Sequence, residues 1–309
     1  MMGARAIRAI LVLFAASGSA KAVAAVLEVG PGRPFAAPSL AIAAARDGDT
    51  VRIAPGVYTD CATIDRNGLT LEGTGETAMT GKACAGKAIL VVTGNNATIR
   101  GLTLSNAKVP DGNGAGIRAE GAALLVDKVR FLNNENGIMS ANGPEISIRV
   151  RDSVFIGNGH CRPVCAHGIY AGHIAALIVE TSRFLDQKEG HHIKSRANRT
   201  EVTGSDIQDG PTGTASYLID IPNGGAARIE GNIFRKGPLS ANPLTAIFIG
   251  GEGDSNPSGP IVVRGNRFAN DGTRTAVFVR VLTNAPALLT GNTLTGAVIP
   301  LSGPGTVAR

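Results

Sequence analysis

The stretch Glu189-Gly-His-His-Ile-Lys-Ser-Arg-Ala-Asn198 crowds two histidines, a lysine, an arginine, an acid and an amide into ten residues. Those residue types suit proton transfer beside a carboxylate. A lysine in its neutral form takes a proton, a phenol or imidazole donates one, and a guanidinium grips a planar carboxylate through two parallel hydrogen bonds. On these grounds Lys194 is the candidate base, Tyr170 or His192 the candidate proton donor, and Arg196 the candidate carboxylate clamp. Such a set suits abstraction of the proton beside a substrate carboxylate, followed by departure of a neighbouring oxygen or by return of the proton on the opposite face.

These groups need elements that carry them to one place. Five segments align on one inward isoleucine: Gly116-Ile-Arg118, Gly137-Ile-Met139, Gly168-Ile-Tyr170, His192-Ile-Lys194 and Leu218-Ile-Asp220. Period-two alternation then points Arg118, Met139, Tyr170, Lys194 and Asp220 outward in one column, with Arg196 on the same face. Strands stacked ~4.8 Å apart would let Tyr170, Lys194 and Asp220 act on a single sugar unit. Arg118 is a second carboxylate grip, and His167, His173 and Asn198 complete the expected substrate contacts. His191 falls on the inward phase and reads as a core histidine, and Glu252 in Gly250-Gly-Glu-Gly253 reads as an exposed loop acid. The ordinary alternatives are a solvated Lys194/Arg196 pair, corner packing for His167 and His173, and turn support by Asp220 for Pro222 to Gly225.

The scaffold announces itself as a repeat. An apolar residue and a second one five positions later recur as Ile99/Leu104, Val126/Phe131, Val150/Phe155, Val179/Phe184, Val202/Ile207, Ile229/Phe234, Val263/Phe268 and Leu289/Leu294, with second members 23 to 34 residues apart. Units of that length cannot bury an apolar face alone and must stack. Runs such as Ala227 to Phe234 alternate and are rich in β-branched residues, which makes them strands. Two places before each second member stand Leu102, Val129, Ser153, Ser182, Ser205, Asn232, Asn266 and Asn292. A Ser-then-Asn column of this kind stacks along the axis and belongs to the scaffold. Gly101, Gly204, Gly231, Gly265 and Gly291 mark the corners. The fold class is therefore all-β, a single-stranded right-handed parallel β-helix. A short N-terminal helix, Ser39 to Arg46 with Ser39 as cap, would cover the first coil's open edge.

The segment from Ser39 through Asp47-Gly-Asp-Thr-Val-Arg-Ile-Ala-Pro-Gly-Val-Tyr58 resembles the opening of pectate-lyase-like β-helix proteins. Lys194-Ser195-x-x-Asn198, with Glu189 five residues before the lysine, is similar to the catalytic strand of the chondroitinase-B and alginate-lyase family. That resemblance implies that Lys194 is the base and that Glu189 belongs to a calcium site. The family's second calcium carboxylate falls at Gln187, and its proton-donating arginine has no counterpart among Tyr217 to Asn223, so calcium stays open.

Residues 1–22 read as a signal peptide, with Arg5 and Arg8 before an apolar run and small residues at Ala20-Lys21-Ala22. The apolar run is too short for a membrane span. Residues 23–309 then form one exported domain, periplasmic or extracellular. Losing Arg5, Arg8 and Lys21 lowers the formal charge from +6 to +3. With no Trp, three Tyr and no basic cluster, nucleic acid is excluded. Four cysteines in an exported chain pair as Cys61 with Cys84 and Cys161 with Cys165; zinc held by Cys161, Cys165, His160 and His167 is disfavoured for want of a second thiolate pair.

The leading function is a polysaccharide lyase acting as a monomer on an acidic glycan. The alternatives are a uronate C5-epimerase and a non-catalytic glycan-binding envelope protein. A hydrolase is disfavoured because the column shows a single acid, where glycosidases need two.

Overall fold

The structure, a computed structural model, describes residues 23–162 and 164–308. The expected signal peptide lies outside the described residues. The chain winds through about 11 turns of a parallel β-helix. Three parallel sheets form its walls: one of 12 strands from Val26–Val29 to Gly305–Ala308, one of 10 strands from Ala62–Ile64 to Val298–Ser302, and one of 10 strands from Gly56–Tyr58 to Thr293–Thr295.

The sequence repeat maps onto two interior columns. Ile99, Val126, Val150, Val179, Val202, Ile229, Val263 and Leu289 are register partners in the 12-stranded sheet. Leu104, Phe131, Phe155, Phe184, Ile207, Phe234, Phe268 and Leu294 are partners in the Gly56-to-Thr295 sheet. Phe131, Phe155 and Phe184 stack with centroids 4.5 and 4.4 Å apart, so each coil covers the ring of the last.

The Ser/Asn column closes the corner between these two sheets. Each backbone N–H donates to the side-chain oxygen one coil on: Val129 to Ser153, Ser153 to Ser182, Ser182 to Ser205, Ser205 to Asn232, Asn232 to Asn266, and Asn266 to Asn292, at 2.8 to 3.2 Å. The ladder thereby satisfies buried amides at a bend where no strand partner exists.

Two details at the N-terminus differ from expectation. The helix runs Pro38–Ala44, with Ala37 as its cap, and the Ser39 N–H is taken by Asp60 Oδ2 at 2.8 Å, so an acid from the next coil does the capping. A strand that sequence alone did not suggest, Val26–Val29, pairs in parallel with Thr50–Ile53 and starts the 12-stranded sheet. Both expected disulfides, Cys61–Cys84 and Cys161–Cys165, are present.

The outer face of the 12-stranded sheet balances its own charge. Glu28, Arg52, Glu72, Arg100, Asp127 and Arg151 succeed one another as register partners. Ion pairs of 3.0 to 3.3 Å join most of these neighbours. These six positions carry three acids and three arginines and so no surplus positive charge. The Ala62-to-Ser302 sheet, which carries Lys194, is different.

Candidate active site

The outward column falls in register. Arg118 pairs with Met139, Met139 with Tyr170, Tyr170 with Lys194, and Lys194 with Asp220; Phe248 and Arg280 continue it. Strands Ile169–Ala171, Ile193–Ser195 and Ile219–Ile221 bury their isoleucines and turn Tyr170, Lys194 and Asp220 to the outer side.

Around Lys194 the groups converge. Its Nζ donates to Glu252 Oε1 at 2.8 Å and lies 3.4 Å from Asp220 Oδ2. Arg196 spends its fork on three partners: Nε donates to Tyr170 Oη at 3.1 Å, one terminal nitrogen to Asn223 Oδ1 at 2.6 Å, and the other to Glu252 Oε2 at 2.6 Å. Lysine, tyrosine and arginine thus share one patch, knitted together by an acid and an amide from later coils. Asn223 comes from the turn after Ile219–Ile221. Glu252 comes from the loop after Thr245–Ile249, where the Glu252 N–H donates to Pro222 O at 2.8 Å. Glu252, read from the sequence as an exposed loop acid, is exposed and on a loop, and it also bridges the two cations. The single-acid premise used against a hydrolase falls, because Asp220 and Glu252 both touch Lys194.

The histidines exchange roles. His192 is 1% exposed and points into the interior, its Nε2 2.9 Å from Asp209 Oδ1 and its ring edge-on to Phe184. It cannot reach a glycan on the outer face. The alternation argument fails because the strand begins at Ile193, and the residues before it turn the corner. The preceding coils carry Gly116 and Gly137 at the same place, where a Cβ would sit 2.7 Å from the rings of Phe131 and Phe155, so this column is interior. His191 instead lies beside the site, its Nε2 3.5 Å from Asp220 Oδ2.

His191 belongs to a ring stack that sequence reasoning missed. His167, His191 and Tyr217 stack at 4.9 Å centroid spacing, and Tyr170 lies 5.5 Å from His167. Backbone N–H groups bind the ring nitrogens across coils: His191 to His167 Nδ1 at 3.0 Å, and Tyr217 to His191 Nδ1 at 3.2 Å. Gly190, at φ +60°, permits this approach; a Cβ there would lie 2.0 Å from Ala166 O. Since each Nδ1 accepts, the proton of the neutral ring sits on Nε2. Burial, reinforced by Lys194, lowers His191 to about 3, and burial with His191 nearby pushes His167 well below the ordinary range. Both stay neutral in ordinary buffers.

The acids are tuned apart. Burial raises Asp220 to about 6 against the pull of Lys194. Glu252 is also pushed up by desolvation, but hydrogen bonds from Lys194 and Arg196 outweigh that and hold it below the ordinary range. Beneath the floor, Lys236 is fully buried and burial lowers it to about 8; its Nζ donates to Ser216 O at 2.7 Å and lies 4.0 Å from Asp209 Oδ2.

Other expected contacts lie away from this patch. Arg118 is three rungs from Lys194 and pairs with Glu120 at 3.3 Å, so it can meet only a different sugar unit. His173 is exposed in a turn, its N–H donating to Asn142 Oδ1. Asn198 is exposed before the strand Arg199–Thr203, and its side chain makes no hydrogen bond among the described residues. Glu189 is engaged by the chain itself. Its Oε2 accepts the Cys161 N–H at 2.9 Å and docks the disulfide hairpin, while the Gln187 amide donates to its backbone oxygen. No three His, Cys, Asp or Glu side chains among the described residues gather as metal ligands. A hollow of about 660 Å³ on the Gly56-to-Thr295 sheet is lined by Val57, Glu76, Lys128 and Arg130, with a single acid and no histidine or tyrosine to serve as proton donor.

The chain matches no protein-family model and no curated protein. Among solved structures it is similar to an alginate lyase from Paenibacillus sp. str. FPU-7, at 17% identity and TM-score 0.65 over 91% of this chain and 99% of that one. It is also similar to ORF18 of Geobacillus virus E2, at 14% identity and TM-score 0.58 over 92% of this chain and 61% of that one. A deglycosylated pectin methylesterase from Aspergillus niger aligns at 11% identity and TM-score 0.50 over 92% of each chain. The likeness is one of fold, and it places this chain among parallel β-helix proteins.

Proposed function

We propose that this chain is an exported, carbohydrate-active β-helix protein that cleaves an acidic, uronate-containing polysaccharide by β-elimination. The observation that carries this reading is the meeting of Lys194 Nζ, the Tyr170 phenol and the Arg196 guanidinium on one outer wall, with Arg196 bonded to Tyr170 at 3.1 Å. Arg196, with Lys194 beside it, would hold the uronate carboxylate. Lys194, after shedding its own proton to solvent, takes the proton at C5; the C4–O4 bond breaks as a C4–C5 double bond forms, and Tyr170 protonates the departing oxygen. Two disulfides support export, and no helix among the described residues is long and apolar enough to cross a membrane. The fold's occurrence in an alginate lyase and a pectin methylesterase supports a polysaccharide substrate.

One observation favours a second reading, glycoside hydrolysis. Asp220 and Glu252 flank Lys194 at 3.4 and 2.8 Å, and their surroundings push them in opposite directions, as an acid and a charged partner require. The lyase reading is preferred because both acids are already engaged by cations. One assay separates the two: alginate, pectate and glycosaminoglycans are each incubated with the protein, with and without calcium. Product absorbing as an unsaturated uronate supports elimination. New reducing ends without that absorbance support hydrolysis, and neither product with any polymer defeats both.

A further inference from the structure

We infer that the Lys194 amine and the Arg196 guanidinium form a built seat for one sugar carboxylate, and that Glu252 occupies it in the free protein and is displaced when an acidic glycan binds. This deepens the lyase reading and rests on it for the identity of the ligand.

The seat is defined by its partners. The two oxygens of Glu252 contact different cations, Oε1 with Lys194 at 2.8 Å and Oε2 with Arg196 at 2.6 Å, which is how the two oxygens of a uronate carboxylate would be shared. Lys194 and Arg196 are only 12% and 17% exposed in their side chains, whereas Glu252 is 48% exposed. The acid therefore comes down from the solvent side, the side from which a glycan must approach.

The charge count points the same way. Two cations, Lys194 and Arg196, face two acids, Asp220 and Glu252. Asp220 is buried in the floor and fixed in the column, so Glu252 is the exchangeable member. A substrate carboxylate that replaces it restores the balance.

The surroundings permit that exchange. Arg196 keeps its bonds to Tyr170 and Asn223 when Glu252 leaves, so the guanidinium stays aimed. The loop is pinned independently of the Glu252 side chain. Its main chain is held by the Glu252 N–H on Pro222 O, and Asn256 Nδ2 donates to Ala197 O and Gly224 O at 3.0 Å. Side-chain rotation alone empties the seat.

The test compares Glu252→Gln and Glu252→Ala with the parent protein, all in a Tyr170→Phe background that stops turnover, removes the phenol's bond to Arg196 equally from all three proteins and leaves both cations and the Asn223 bond in place. Binding of uronate trisaccharides and of their methyl esters is followed by calorimetry, with circular dichroism confirming the fold. Removing an internal competitor of ion-pair strength should tighten the acidic trisaccharide at least ~fivefold in both variants and leave the ester unchanged. Equal or weaker binding of the acid overturns the seat assignment, even if the wild-type protein yields unsaturated product and the lyase reading stands. Tighter binding of the acid with no unsaturated product from wild type keeps the seat and removes the lyase.

Discussion

Lys194 Nζ lies 3.4 Å from Asp220 Oδ2, one rung along the same column, and burial holds that carboxyl up to about 6. Above about pH 6 the acid is ionised and can hold the amine in place; below it the proton removes that partner. The expected pH profile of kcat/KM therefore has an acidic limb near 6. Asp220→Asn should lose this limb and run at least ~10-fold slower on its plateau, about 1.4 kcal/mol in the barrier. An unchanged limb in the variant would assign the titration elsewhere.

Arg196 contacts Tyr170, Asn223 and Glu252 through three separate nitrogens, a geometry that a point-like ammonium cannot copy. Arg196→Lys should raise KM for acidic glycan by ~10-fold or more, the worth of one charge-assisted hydrogen bond of ~1.5 kcal/mol or above. The variant should show no such loss toward a methyl-esterified glycan. Steady-state kinetics on matched acid and ester substrates read the difference.

The ring stack makes the fold sensitive to acid. His191 is lowered to about 3 and His167 is shifted the same way, so the native state binds fewer protons than the unfolded chain as pH falls from ~6.5 towards 3. Stability contributed by these neutral rings is present above that window and is lost within it. Asp220 has the opposite sign, since its raised value makes the native state the better proton binder from 3.8 to about 6. His191→Gln should therefore flatten the acid decline of the melting temperature between pH 6.5 and 4. A variant that declines as steeply as wild type would remove His191 from this role.

The column was legible because Ile169, Ile193 and Ile219 are fully buried, and within a strand period-two alternation leaves the next residue no face but the outer one. The same rule misplaced His191 and His192, which precede the strand and lie on a corner. Glycines at 116 and 137, aligned with His192, were the available signal, since a glycine column beside phenylalanines marks a crowded interior position. Asn223 and Glu252 were not legible as site residues. They reach Arg196 from positions 27 and 56 residues away, through a turn and a loop whose course depends on the stacking of later coils rather than on local pattern. The positions of the Ser/Asn ladder were legible, because identical spacing on every coil imposes identical surroundings, but its bonds run mainly from backbone N–H to side-chain oxygen rather than between like side chains.

The central claim is that Lys194, presented on the outer wall between Tyr170 and Asp220, removes the proton beside a sugar carboxylate. The most direct measurement takes whichever acidic glycan the protein turns over and compares wild type with Lys194→Ala in two channels, appearance of unsaturated product and equilibrium binding of the glycan. The account predicts turnover lower by at least ~10²-fold beyond any loss of binding, as expected for loss of a general base, with binding weakened by the ~10-fold that one charge-assisted hydrogen bond to the carboxylate is worth. A variant that still makes unsaturated product at near wild-type rate would contradict it.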